Sequence, residues 1–252
     1  MGKNILVEVC CGSLDDAIRA EASGADRIEL NSCLFQGGLT PSIGTLIKAR
    51  EKLGIPVMVM VRPRGAGFYY TEAEYEVMLK DAECFINSGA DGIVFGFLHE
   101  DGTVDYERCK YILEIIGKKE SVFHRAIDVV PDPMEALERL AALGVTRVLT
   151  SGQQPTVREG MPLIAEMVKQ AAERIQILPG GGIHPGDVAE IIKKTEVRQV
   201  HVAAPGIRMD KSTCGNSRIY YGGALYPPED RHEIADESML RRMVEAVHFH
   251  KE

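Results

Sequence analysis

Residues 121–133 read SVFHRAIDVVPDP, and the fold can be read outward from them. Val122 and Phe123 suit a buried, pleated surface. His124, Arg125 and Asp128 stand where that apolar run ends. Pro131 breaks the strand, Asp132 can cap a helix, and Pro133 fits the first helical position. A buried strand therefore emerges, presents titratable groups, turns and enters a helix. Alternate strand residues face opposite sides, so His124 and Ala126 share a face, joined by Asp128 if the strand runs over 121–128. Two readings stand here. His124 is either a satisfied core histidine with Arg125 as its surface neighbour, or a member of a functional cluster.

The same strand-then-helix unit recurs along the chain. Strands are predicted to start near 4, 27, 56, 92, 121, 147, 176 and 199, the spacing of one βα unit each. A weak internal repeat supports this: SGADRIEL at 23–30, SGADGIVF at 88–95 and LGVTRVLT at 143–150 each set a helix-ending glycine before a buried strand. Eight such units without a break in composition predict an α/β fold, a single (β/α)8 TIM barrel, as one domain over 1–252. The segment 206–236 is expected to be irregular and to lie near the barrel mouth or a subunit contact, before a last helix at 237–248. An open doubly wound sheet is the alternative, but the first turn lacks a dinucleotide fingerprint.

The 252 residues carry a net charge of −8, which argues against a nucleic-acid surface. The apolar run at 55–61 is too short to span a bilayer. Residues 1–9 enter a strand directly, without the apolar core of an export signal, so a cytoplasmic location is expected. The cysteines at 10, 11, 33, 84, 109 and 214 form no C-x-x-C pair and are expected to be reduced thiols.

In a barrel, ligands meet the C-terminal ends of the strands. Polar residues recur there: Glu8 and Cys10 on one face of the first strand, Glu29 and Asn31 on the second, Arg62 on the third, His124 and Asp128 on the fifth, and His201 on the eighth. Their strand neighbours are branched apolar residues that would pack under helices, so the polar set points inward. A carboxylate facing the interior needs a partner, and Arg62 is the natural one for Glu8 or Glu29. One reading is a salt-bridge network that fixes strand register. The other is a catalytic pocket of Glu8, Glu29, Arg62, His124, Asp128 and His201. In that pocket His124 would be the general acid–base, since its unperturbed pKa lies near neutrality. PGGG at 179–182 could seat an anion on the backbone amides of Gly180, Gly181 and Gly182, closed by Arg208, or could only permit a tight turn. The loop RPRGAGFYY at 62–70 could cover the mouth as a lid, or be an ordinary long loop.

These residues fall in motifs that run in order nearly to Ala204: EVC at 8–10, GADRIEL at 24–30, GGLTPS at 37–42, RPRG at 62–65, FHRAID at 123–128, LTSG at 149–152 and PGGGI at 179–183. By them the chain resembles the CutC family of copper homeostasis proteins. The resemblance implies a TIM barrel, a cytoplasmic location, a homo-oligomer and copper handling, with Cu(I) bound by cysteines in some members. The family's strand-one cysteine falls on Cys10. The second cysteine sometimes proposed as a ligand falls on Asn31, and an amide suits Cu(I) poorly. Cys33, two residues on, could take its place, so Cys10 and Cys33 are the metal candidates. The competing expectation is an enzyme acting on a small anionic or phosphorylated metabolite at the mouth. A third is a scaffold whose polar interior is structural.

Overall fold

Seven helix starts, six of them announced by a polar cap, punctuate the barrel. The computed structural model describes residues 5–222 and 229–248. Its strands are β1 (Leu6–Cys11), β2 (Arg27–Leu30), β3 (Val57–Met60), β4 (Gly92–Phe95), β5 (Glu120–Phe123), β6 (Arg147–Thr150), β7 (Gln176–Pro179) and β8 (Gln199–Val202). Helices follow the first seven in turn: α1 (Leu14–Ala22), α2 (Ile43–Lys52), α3 (Glu72–Asn87), α4 (Tyr106–Ile116), α5 (Pro133–Ala142), α6 (Val157–Ala171) and α7 (Val188–Thr195). The side chains of Ser13, Ser42, Thr71, Asp105, Asp132 and Thr156 accept amide protons of the first turns, satisfying donors that a helix start leaves open. All neighbouring barrel strands pair in parallel, in the order β7-β6-β5-β4-β3-β2-β1-β8. A parallel bridge between Gly180 and His201 joins the two ends, so the chain is the expected (β/α)8 barrel.

Strand alternation divides the buried residues into two sets. Val7, Val9, Ile28, Leu30, Val57, Val59, Ile93 and Val200 face outward and pack under the helices. Met58, Met60, Val94, Val122, Leu149 and Leu178 form a separate apolar plug inside the barrel. At the N-terminal end a polar chain crosses the interior, built largely from the first residues of the strands. Arg27 donates through Nε to Glu8 and through Nη2 to Gln199 at 2.8 Å. Gln199 donates to Gln176 at 3.1 Å, Gln176 accepts from Arg147, and Arg147 donates to Glu120 at 2.9 Å. Arg62, the expected partner of the interior carboxylates, is not in this chain. Its guanidinium donates instead to the carbonyls of Gln36, Gly38 and Ala66, organising two loops at the opposite end.

Three local expectations are corrected. The fifth strand ends at Phe123, and Arg125–Val129 form a 3-10 turn, so Asp128 is not on a strand. The cause is local: His124 Nδ1 accepts the Ala126 amide at 3.1 Å and bends the chain. Helix α7 starts at Val188 rather than 185, because a turn over 184–187 follows the glycines. Within 206–236, residues 223–228 lie outside the described residues. The rest is not wholly irregular: β9 (Pro205–Met209) pairs antiparallel with β10 (Arg231–Ala235). Buried Asp16 fixes this ribbon by accepting the Ala235 amide at 2.7 Å. The last helix, α8 (Glu237–His248), packs Leu240, Met243 and Val244 onto the barrel.

Glu8 is 1% exposed and Arg27 4%, so truncating the arginine leaves a carboxylate in a dry interior. Arg27→Leu should lower unfolding free energy by roughly 3–5 kcal/mol in urea titrations near neutral pH. The Arg27 and His201 charges outweigh the opposing effect of burial and hold the Glu8 carboxyl well below its ordinary value of 4.5. Its share of stability is therefore present above that value and lost as pH falls below it. The deficit of Arg27→Leu should shrink in acid; a deficit that is the same at all pH values would refute the pairing.

Candidate functional site

A cavity of about 610 Å³ opens at the C-terminal end of the strands. Of the six residues expected to converge there, Glu29, Arg62, His124, Asp128 and His201 line it. Glu8 lies beneath, joined to the site through His201, whose Nδ1 is 2.8 Å from Glu8 Oε1. Strand register explains this pair: Glu8 on β1 is level with His201 on β8. Cys10, one step further along β1, is level with Glu29 on β2.

Cys10, Glu29 and His201 each offer a ligand atom within 4.8 Å of the others. The Cys10 thiol is 3.8 Å from Glu29 Oε2, and His201 Nε2 is 3.9 Å from the same oxygen. Asn31 Nδ2 donates to Glu29 Oε2 at 2.8 Å and reaches Cys10 Sγ at 3.5 Å, so the residue in the second cysteine's place holds both groups. Cys33 is outside this group and does not line the cavity. After β2 the chain pairs Ser32 with Leu39, and Cys33 heads a 3-10 turn inside that closed loop rather than curling back to Cys10.

The electrostatics divide the site. Burial alone would lower the His201 imidazole, but Glu29 and Glu8 outweigh it and hold it well above its ordinary value. Burial raises the Glu29 carboxyl, helped by the Glu8 charge. Burial pushes the Cys10 thiol up to about 11. At neutral pH the cluster is thus an imidazolium against the Glu8 carboxylate, with a protonated thiol beside it.

His124 behaves in the opposite way. Burial, and then the neighbouring Arg62 charge, push its pKa down to about 3. The expected general acid–base is therefore a permanently neutral imidazole near pH 7. With Nδ1 accepting from Ala126, the proton sits on Nε2, which is buried without a partner. Phe68 from the 62–70 loop stacks against the ring at 4.7 Å between centroids, so that loop forms a wall of the site. Gly96 makes room: a Cβ there would come within 2.4 Å of the His124 ring.

The glycines after β7 line the cavity, as expected for Gly180, Gly181 and Gly182. Arg208 does not; it is half exposed on β9, with Nη1 3.6 Å from Asp15. Arg125 takes the place beside the glycines, since a Cβ on Gly181 would stand 3.2 Å from its Nη1. Asp128 orients that guanidinium by accepting from Nε at 2.8 Å, and also accepts the Ser151 and Gln153 amides. Arg27 was missed in the sequence, and Arg125, named there at the strand end or as the surface neighbour of His124, was not placed in the pocket. Arg27 shares a face with Glu29 by simple alternation, which signals it. Arg125 carries no such signal, because the turn that aims it is not visible in the strand pattern.

The His124 assignment is checked by long-range 1H–15N spectra. The ring should remain neutral with the proton on Nε2 from pH 7 to well below 6.5, while His201 stays doubly protonated. A His124 that titrates near 6.5 would refute the burial argument. A histidine held low in the fold stabilises it above its unfolded value of 6.5 and loses that contribution as pH falls toward 3.

A profile of the CutC family matches residues 5–206. A CutC family protein of Treponema denticola is 56% identical over 245 residues, covering 97% of this chain and all of the relative. A human protein named copper homeostasis protein cutC homolog is 42% identical over 238 residues, covering 94% of this chain and 87% of its own length. The crystal structure of the CutC protein from Streptococcus agalactiae superposes with a TM-score of 0.74 at 35% identity, over 78% of this chain and 97% of that one. Motif order, barrel and relatives agree: the chain belongs to the CutC family.

Proposed function

We propose that this protein binds Cu(I) at the barrel mouth through Cys10 and His201, as part of copper homeostasis. The observation that carries this is the orientation of His201. Its Nδ1 is tied to Glu8, which leaves Nε2 on the side of Cys10 and Glu29. A carboxylate behind a histidine fixes which nitrogen can ligate and raises its basicity. Thiolate and imidazole are donors that Cu(I) favours, whereas the Glu29 carboxylate is a hard group suited to a lesser, electrostatic part. The donor set therefore fits the ion. It contains one thiolate rather than two, so Cu(I) should be held less tightly than in a two-cysteine site.

The chemistry required of the chain is proton release. Cys10 is protonated at neutral pH, with its thiol pushed up to about 11, and His201 carries a second proton. Both must leave for sulfur and nitrogen to ligate. A cytoplasmic location accords with six free thiols, and no helix among the described residues is long and apolar enough to cross a membrane. Exposed Ile207 and Met209 on β9 support a homo-oligomer, since an apolar ribbon face gains by being covered.

Cu(I) competition against a calibrated chelator tests the site. Cys10→Ser should abolish binding, and Cys33→Ser should leave it unchanged. Wild-type affinity should rise with pH, by about tenfold per unit for each proton released. Tight binding lost equally in both variants would show that Cys33 is a ligand and would overturn the geometry. Binding unchanged in Cys10→Ser would remove the mouth from copper handling.

A further inference from the structure

The Cu(I) cluster occupies only the β1, β2 and β8 side of the mouth. The rest of the cavity, some 610 Å³ in all, is the size of a small-metabolite site rather than of a bare ion. Across it, on the β5–β7 side, stand donors with nothing to donate to. Gly181 (φ 126°) and Gly182 (φ 65°) follow β7 in backbone conformations that favour glycine. The bridge between Gly180 and His201 turns the Gly181 amide toward the His201 carbonyl; among the described residues, no protein acceptor takes the amides of Gly182 or Ile183. Successive free amides of this kind form a concave seat for an anion. A Cβ at 182 would lie 3.0 Å from Thr156 Cγ2, so the loop is pressed against the start of α6 and held in shape.

Arg125 completes the seat. Its Nε goes to Asp128 at 2.8 Å and its Nη2 to Ser151 Oγ at 2.7 Å. That leaves Nη1, beside Gly181, without a partner among the described residues. The Asp128 carboxylate does not cancel the seat, because it is already engaged by Arg125, Thr150, Ser151 and Gln153. A second, independent observation points to a ligand. His124 is 3% exposed, lines the same cavity, and has a partnerless Nε2. A buried donor left open normally costs free energy, and a ligand acceptor would relieve it.

We infer that the β5–β7 half of the mouth binds a phosphate monoester of a small carbonyl- or hydroxyl-bearing molecule. Its phosphate sits on the Gly182 and Ile183 amides and Arg125 Nη1, and His124 Nε2 donates to an uncharged oxygen of the body. Two amides and a guanidinium N–H supply one donor for each oxygen of a three-oxygen anion. A neutral imidazole with its proton on Nε2 is a single uncharged donor, which suits an uncharged oxygen. Barrels commonly seat phosphate after β7 and β8, which is an analogy of fold and not the argument.

The probes are inorganic phosphate and ribose 5-phosphate, read by 31P line broadening and by the rise in melting temperature. Wild type should bind both, the sugar phosphate more tightly. Arg125→Gln should weaken both by about tenfold. His124→Asn, whose Oδ1 can take the Ala126 amide in place of Nδ1 and which lacks Nε2, should weaken ribose 5-phosphate by a similar factor and leave inorganic phosphate unchanged. Arg208→Gln should alter neither. The proposal is overturned if neither probe binds, if Arg125→Gln binds like wild type, or if His124→Asn weakens both probes alike. Arg125 is 43% exposed, so its variant should fold and decides the phosphate half alone should His124→Asn fail to fold.

Discussion

The Glu8 carboxylate lies inside a protein barrel, and much of the interior is arranged around it. Removing such a charge from water costs several kcal/mol unless oppositely charged hydrogen-bond partners surround it. Arg27 and His201 are those partners, one on each neighbouring strand. Each brings a consequence. Arg27 has donors left over, which draw in Gln199 and, through it, the polar chain that closes the N-terminal end. His201 is held by one nitrogen, so its other nitrogen must face the cavity. A single buried charge thus fixes both the base of the barrel and the orientation of the group at its mouth.

The two ends differ in how their polar groups are satisfied. At the base, Arg27, Glu8, Gln199, Gln176, Arg147 and Glu120 bond to one another. At the mouth, Glu29 Oε1, Asn31 Oδ1, Arg62 Nε and His124 Nε2 are buried and unpartnered. Native interiors tolerate few such groups, and clustering at one place marks a region shaped for something other than stability. The supporting residues are tied down meanwhile. Arg62 spends three bonds on loop carbonyls, and Gly96 gives up a side chain so that the His124 ring can lie where it does.

The barrel itself was legible because its signal is repeated eight times: a buried strand, then a capped helix, most of them stopped by a glycine, with each unit of a length that fits one βα repeat. The inward set at the strand ends was legible for the same reason, and Glu29, Arg62, His124 and His201 do meet. Most of what failed depended on neighbours distant in sequence, and one failure on a local bond that the residue types do not announce. Arg62 has the right charge for Glu8, but Arg27 is level with Glu8 across the β1–β2 pair, and register decides between them. His124 has a neutral-range pKa in isolation; burial among its neighbours, and then the Arg62 charge, make it a poor base. Asp128 was assigned to a strand because nothing local reveals that the His124 ring captures the Ala126 amide. The β9–β10 ribbon pairs residues more than twenty positions apart, with little alternation to announce it.

The apolar plug has a kinetic meaning. Met58, Met60, Val94, Val122, Leu149 and Leu178 fill the barrel between the polar base and the mouth, and all are buried. Met60 and Leu149 also form part of the cavity lining, so the plug is its floor. The Cys10 side and the β7 glycines line one and the same cavity above this floor, so among the described residues they share its opening at the mouth. Two occupants of such a cavity are ordered by geometry alone: the one seated deeper enters first and leaves last.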